Sequence, residues 1–478
     1  MSRALAALLA AACGNGGATS PRDGAAADGS PPDAAVAFVL ESGLPETSLL
    51  AGAAQARGWR DARGIIHLHT PYSHDACDGM PRADGKTGAV NEPCYQDLRA
   101  GLCATRQDFA MTTDHEETAA IVDYQELLLL REGDQAVAKG DATIGNRIDC
   151  GDGFRPLLLP GGEFGAMPVG MERHIDGTPE ARDALYNQES AENVAALKGV
   201  GAVVLQAHPE GRTLAALGGI GLDGMEVYNL HAAIDPDIRG PDLGLDPFAA
   251  IESVAAFFGR DEESPHPDLA LLGFLEDQQV TLDKWDALLA LGPMVGVAGT
   301  DAHQNVLPQP LLRDGERTDS YRRMMRWFAN HVLVPAGDAP LDPDELKAAL
   351  AAGRAYVAFE TLGSPVGFDF RAETAGGEIV EMGDVAPAGA TLRVTRPTIH
   401  GWSGTVAARM RILRATTDGA TEVAQGDGDE LAHVAGEAGA YRAEVRLVPE
   451  HLAPHLGPKP ETYLHEYPWI YANAIRVE

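Results

Sequence analysis

Six stretches decide the reading: RGIIHLH at 63–69, DFAMTTDH at 108–115, PLLLPGGEF at 156–164, GAVVLQAH at 201–208, GMEVYN at 224–229 and PMVGVAGTDAH at 293–303. Each is a short apolar run of strand-like composition that ends in His, Asp, Glu or Asn. Helical patterns at 187–198, 247–258, 281–291 and 318–330 lie among them. Strand and helix in alternation argue for parallel βα units. In a parallel α/β barrel the strand C-termini converge on one face, and that face carries the site. Six runs ending in polar or ligating groups fit that arrangement far better than scattered surface positions.

The ends of these runs supply the ligands. His67 and His69 lie two apart on an expected strand, so their side chains should point the same way. The following TPYSHDA brings Asp75 within loop reach, with His74 as the alternative ligand. His115 is a nitrogen donor, and Asp114 beside it is either a ligand or a carboxylate that orients an imidazole. Glu163 follows two glycines that let the backbone pass close to the site, and could bridge two metals. His208 ends its run before Pro209, and Asp301 and His303 form a mixed N/O pair suited to Zn, Mn or Fe. His174, in GMERHID, is a further ligand candidate on an irregular stretch. Glu226 and Asn229 line the pocket or support its shell. His231 is either a pocket acid or a surface residue. His266, His331 and His400 lack a strand-end context and are read as structural.

Around this core the chain is longer than one small domain requires: 478 residues, 45% hydrophobic. From about 365 the texture changes to short alternating segments such as TLRVTRP, ARMRILRA and YRAEVRLV, separated by Gly- and Asp-rich turns. They indicate an antiparallel β-sandwich. Acidic residues number 70 against 37 basic ones, a formal charge of −33. A nucleic-acid duplex as partner is excluded on that ground, because phosphates require a basic footprint. The charge names no substrate.

The first residues, MSRALAALLAAACGNGG, resemble a bacterial lipoprotein signal spanning 1–13 and ending at Cys13. The apolar run is too short to span a bilayer. Contact with a membrane would come only through lipid on Cys13, which implies an exported, envelope-anchored or secreted protein. Residues 14–40 follow as a flexible tether rich in Gly, Ala, Pro, Ser and Asp. Four cysteines then remain, Cys77, Cys94, Cys103 and Cys150, and an even count in an exported chain suggests two disulfides with three possible connectivities. Cys94 and Cys103 flank a short helical stretch, which favours that pair and leaves Cys77 with Cys150.

Taken in order, HLH, SHD, TDH, GGEF, QAHP, EVYN and GTDAH resemble the PHP (polymerase and histidinol phosphatase) metallohydrolase superfamily. More narrowly they are similar to its CehA/McbA branch, as are RAYVAFE at 354–360 and PWIYANAIRV at 468–477. The resemblance covers roughly residues 60–478. It implies an α/β fold, a distorted (β/α)7 barrel over 55–362, followed by the accessory β-sandwich over 363–478. It implies two or three divalent ions held by His67, His69, Asp75, His115, Glu163, His174, His208, Asp301 and His303. The SHDACDG segment and the surroundings of His174 depart from the family pattern.

The chemistry so implied is hydrolysis by a water shared between metals, with Asp75 or Asp301 orienting it and His174 or His231 protonating the leaving group. The expected substrate is a small phosphate mono- or diester. A carbamate, amide or carboxylic ester is the second expectation, and a non-catalytic cell-surface binding module the third. No oligomeric state follows from the sequence.

Overall fold

The chain is organised about one ten-residue strand, Trp59–Leu68 (β1), in a computed structural model that describes residues 38–40, 49, 52–82, 88–248, 254–259, 261–306 and 309–478. The signal at 1–13, its Cys13 and nearly all of the tether lie outside the described residues. The N-terminal half of β1 pairs antiparallel with Ala329–Pro335, from Trp59↔Pro335 to Gly64↔Asn330. Its C-terminal half lies between two parallel partners, Phe109–Thr112 on one side and Val295–Ala302 on the other. All three segments are buried over that half, as strands covered on both faces must be.

In chain order we call Phe109–Thr112 β2, Leu157–Leu159 β3, Met167–Val169 β4, Val203–Leu205 β5, Gly224–Asn229 β6 and Val295–Ala302 β7. β2 pairs parallel with β3. Beyond β3, Met171 N donates to Pro160 O at 2.8 Å and Gly162 N to Pro168 O at 3.1 Å, which joins it to β4. β4 pairs antiparallel with β5. Gln206 N then donates to Gly224 O and Glu226 N to Gln206 O, both at 3.0 Å, which joins β5 to β6. β6 and β7 are parallel, and β7 returns to β1.

Ile66, Met111, Leu159, Met167, Leu205 and Val297, one from each of β1 to β5 and β7, belong to one buried apolar cluster separate from the main core. Leu346, Ala349 and Leu350 of the helix Pro343–Ala352 join that cluster. The helix starts on Asp342, whose carboxylate accepts from the backbone N–H groups of Asp344 and Glu345.

Past the helix, Ala355–Ala358 (β8) pairs with Tyr467–Ala472 (β9), so hydrogen bonds run from the first part of the chain into the last. The result is a 15-stranded mixed sheet that takes in Ala408–Thr416, Gly419–Gly426 and Gly439–Leu447. A separate four-stranded antiparallel sheet contains Asp369–Glu373 and Thr391–Thr395. Its Phe370, Leu392 and Val394 share a buried cluster with Met410, Ile412 and Val445 of the large sheet. A buried ion pair, Arg442 to both oxygens of Asp286 at 2.7 and 2.8 Å, fastens the last strands to the helix Gln279–Leu291. No helix of the described residues is long and apolar enough to cross a membrane.

Two expectations are corrected. The helical pattern at 318–330 gives only Tyr321–Met325; Ala329 onward is strand, because ANHVLVP pairs with β1 and is buried along nearly its whole length. The disulfides are Cys77–Cys94 and Cys103–Cys150, not the expected pairs. Cys94 and Cys103 both ride on the helix Glu92–Ala104, where nine residues of rise separate them by about 13 Å. That is about twice the longest span a disulfide allows.

A buried polar group sits under the N-terminal half of β1. His331 Nδ1 lies 2.8 Å from Asp61 Oδ2, and its Nε2 lies 3.4 Å from Glu360 Oε1. Burial alone would lower the imidazole pKa, but Asp61 and Glu360 outweigh it and raise the pKa to about 9. A pKa raised on folding gives stability that is complete below the unfolded value near 6.5 and is lost as pH climbs through 9. The stability of the chain, followed by denaturant unfolding, should therefore fall by roughly 3 kcal/mol from pH 6 to pH 10 through this group. The His331→Asn chain should start lower and lack that part of the slope. A non-reducing peptide map should return Cys77 with Cys94 and Cys103 with Cys150. Loop lengths of 17 and 47 residues make the second bond the more stabilising, about 4 against about 3 kcal/mol on chain-entropy grounds.

Candidate metal centre

At the C-terminal end of β1 the strand is not regular. The register with both neighbours shifts between Ile66 and Leu68, and His67 has φ +64°. The expectation that His67 and His69 point the same way by simple alternation is thus met differently: a bulge re-aims His67 until its Nε2 lies 3.1 Å from that of His69. His208 and Asp301 also hold positive φ, +48° and +50°. Left-handed backbone costs an L-residue roughly 1–2 kcal/mol. Three such residues whose side chains converge mark a site held against local preference.

Four of the imidazoles are aimed by a partner behind them. Glu226 Oε1 lies 2.6 Å from His67 Nδ1, Ser73 Oγ 2.7 Å from His69 Nδ1, and Glu210 Oε1 2.9 Å from His208 Nδ1. His303 Nδ1 faces the Asp301 carbonyl at 2.9 Å. With Nδ1 held, each Nε2 is turned toward the centre. Glu226 also accepts from His208 N and Asn229 Nδ2, both at 3.0 Å, so the support role expected of Glu226 and Asn229 is the one seen. Gly299 leaves the room: a Cβ there would lie 1.8 Å from Glu226 Oε1 and 3.1 Å from His67 Nδ1. Gly161 likewise admits the backbone before Glu163, since its Cβ would meet Pro168 O at 2.2 Å.

Two carboxylates occupy the middle. Glu163 Oε2 lies 3.4 Å from each of His67 Nε2, His69 Nε2 and His115 Nδ1, while its Oε1 lies 3.3 Å from His208 Nε2. Asp301 Oδ1 lies 3.4 Å from His67 Nε2 and 3.2 Å from His69 Nε2; its Oδ2 lies 3.0 Å from His208 Nε2 and 3.4 Å from His231 Nδ1. Asp75 completes the rim, 3.2 Å from His303 Nε2 and 3.6 Å from His115 Nε2. Donor atoms converge in three groups: His67, His69, Glu163 and Asp301; His69, Asp75, His115 and His303; and His231, Asp301 and His303. Because Glu163 and Asp301 turn one oxygen to each side, the arrangement suits more than one cation.

The electrostatics ask for cations. Burial alone would protonate Glu163 and Asp301, yet the surrounding imidazoles hold both well below the usual carboxylate range. In return, and against burial, the carboxylates drive His67 and His208 well above their ordinary pKa and His115 to about 9. His69, buried and beside His303, falls to about 4 and keeps a lone pair. Protonated rings would then crowd one another: His67 and His208 lie 5.5 Å apart between centroids. Divalent ions neutralise the carboxylates without that repulsion. Asp75 Oδ1, Asp301 Oδ1 and His303 Nε2 are also buried without a hydrogen-bond partner among the described residues. The donor set therefore fits the metals that the sequence implies.

Eight of the nine expected ligands meet here, and Asp75 rather than His74 faces the donors. His74 packs its ring against His115 at 4.9 Å and belongs to none of the convergent groups of the described residues. His174, expected as ligand and proton donor, is the exception: Nδ1 bonds the Tyr186 hydroxyl and Nε2 the Val122 carbonyl, both at 3.1 Å. Both nitrogens are occupied, and the ring belongs to none of the convergent groups. Asp114 neither ligates nor orients a histidine. Its oxygens accept from Thr70 N at 2.7 Å and Thr70 Oγ1 at 2.8 Å, pinning the loop that carries Ser73 and Asp75. Ser73 and Glu210 were not singled out from the sequence; their signal is proximity, four residues after His69 and two after His208.

No family model matches the chain, and no curated protein matches it. Two solved structures are similar to it. PsfC from Pseudomonas syringae is 13% identical, over 63% of this chain and 93% of that one, with a TM-score of 0.35. A two-domain protein from Bacteroides vulgatus containing a predicted PHP-like metal-dependent phosphoesterase is 10% identical, over 92% of this chain and 99% of that one, with a TM-score of 0.32. Likeness at that level carries no argument, and the chemistry rests on the donors themselves.

Elemental analysis of the purified chain should find at least two divalent ions. Glu163→Gln and Asp301→Asn should each lose metal. Glu226→Gln, which frees His67 Nδ1, should weaken metal binding about 10–100-fold. His174→Gln should keep the full complement.

Proposed function

We propose that the chain is a metal-dependent hydrolase of the PHP type, acting on a small phosphate ester. The observation that carries this reading is the meeting of His67, His69, Glu163 and Asp301 donor atoms within 4.8 Å of one another. In the same reading β1 to β7 form the distorted (β/α)7 barrel, with the donors at the strand ends where such barrels place their chemistry. The ordered motifs from HLH to GTDAH support the family, and a site for two or more cations suits a phosphoryl group.

Zn, Mn or Fe ions held there would supply Lewis-acid polarisation of the ester and an acidified water. The chain's own part is orientation. Glu226, Ser73 and Glu210 fix three imidazole rings. Asp301, with oxygens directed to both sides, and Asp75 at the partly exposed rim are placed to orient an entering water. His231 lines a small cavity with Asp301, His303, Asn305 and Met324. Its Nε2 stands 3.4 Å from Asp235 Oδ2, a long contact that a leaving-group oxygen can replace. His231 thus takes the proton-donor role alone, His174 being engaged elsewhere.

The four described cysteines pair as two disulfides. That supports the exported location we propose with this activity, because such bonds persist in oxidising compartments. Residues past 363 contribute no member of the convergent donor groups, in keeping with an accessory role.

Metal-replete protein should hydrolyse aryl phosphate monoesters or diesters. Asp301→Asn should lower kcat/KM about 10²–10³-fold, the scale of a lost charge-stabilising group. His231→Gln should lose kcat most on esters with basic leaving groups. Turnover of aryl carbamates or carboxylic esters with none of phosphates would overturn the substrate class. Activity that survives Asp301→Asn would overturn the site.

A further inference from the structure

The opposite end of β1 carries a second feature, in a chain whose net charge is −33. A cleft of about 420 Å³ is lined by Arg60, Arg63, Arg106, Arg147 and Arg155, facing Asp61, Asp108 and Asp338. Seven residues of strand separate Arg60 from His67, roughly 20 Å, so this is not the metal centre.

Most of the charges are already matched. Arg63 Nε lies 3.3 Å from Glu360 Oε1, Arg106 pairs with Asp152 at 2.7 Å, and Arg155 pairs with Asp149 at 3.2 Å. Asp61 faces inward to His331 and Tyr356. Asp108 accepts from the Arg63 backbone N–H at 2.9 Å, and Asp338 is exposed at the edge.

Arg60 and Arg147 differ. Both are half-buried, and among the described residues neither has a carboxylate within ion-pairing distance. Arg147 Nη2 donates to Leu341 O at 2.7 Å and Arg60 Nη1 to Gly337 O at 3.4 Å, so only carbonyls meet them. Arg60 Nε is buried with no hydrogen-bond partner. Burial lowers the Arg147 pKa and the Arg60 charge lowers it further, although Asp342 acts in the other direction. Two guanidinium groups therefore face one cavity, repel each other and retain free donors. Planar guanidinium forks match tetrahedral oxyanions in shape and charge.

We propose that this cleft binds a tetrahedral oxyanion, sulfate or phosphate, between Arg60 and Arg147, either as the free ion or as the end group of a small molecule. The anion would add to the negative charge that Asp108 turns on Arg60 and Asp342 on Arg147, and would accept from the Arg60 Nε–H. The site does not depend on the hydrolase reading.

The test uses the metal-replete full chain, titrated calorimetrically with sodium sulfate against sodium chloride at constant ionic strength. Wild type should bind sulfate, and Asp301→Asn should bind it equally. Arg60→Gln with Arg147→Gln should weaken binding at least tenfold, with metal content and hydrolytic rate unchanged and a cooperative melt. Sulfate should raise the wild-type melting temperature and not that of the double variant. Glucose 6-sulfate as a second probe distinguishes the sources: tighter binding than sulfate identifies an end group, equal or weaker binding the free ion. The proposal fails if wild type shows no sulfate binding, if the double variant binds as well as wild type, or if Asp301→Asn abolishes the binding.

Discussion

Buried negative charge is the constraint on which this structure turns. Glu163 and Asp301 are surrounded by imidazoles, with little water to solvate them. An isolated carboxylate taken out of water would neutralise itself by binding a proton. Here the rings prevent that, and they in turn cannot all be protonated while stacked against one another. Positive charge more compact than imidazolium, such as a divalent cation, would relieve that crowding.

The rest of the centre serves that requirement. Glu226, Ser73, Glu210 and the Asp301 carbonyl hold Nδ1 of His67, His69, His208 and His303 so that Nε2 is presented inward. Gly299 provides the space in which His67 and Glu226 meet. The positive φ of His67, His208 and Asp301 is local strain, sustained because the parallel strands beneath them are buried on both faces and cannot relax. Stability in the scaffold thus supports an unfavourable conformation at the site.

Much of this was legible in the sequence, for a definable reason. A parallel strand must be apolar until it ends, so a polar residue closing an apolar run is informative. That logic located His67, His69, His115, Glu163, His208, Asp301 and His303. His174 was expected without that logic, on an irregular stretch, and there the Tyr186 hydroxyl and the Val122 carbonyl occupy both its nitrogens. The logic failed for Asp114, because a strand-end carboxylate can as readily brace a loop as face a metal. The disulfide pairing was missed by treating sequence neighbours as spatial neighbours: a straight helix holds Cys94 and Cys103 apart. The bulge at His67 left no trace in the sequence. The arginines at the other end of β1 were hidden within an overall acidic composition, since net charge says nothing about where the few cations gather.

The central claim is spatial, so the most direct measurement is too. Crystals of metal-replete protein, examined by anomalous scattering at the metal edge, should show at least two peaks, one bounded by His67, His69, Glu163 and Asp301. Glu163 and Asp301 should each touch more than one of them. Crystals with no anomalous density among these donors, and with Asp301 hydrogen-bonded to charged imidazoles instead, would contradict the account.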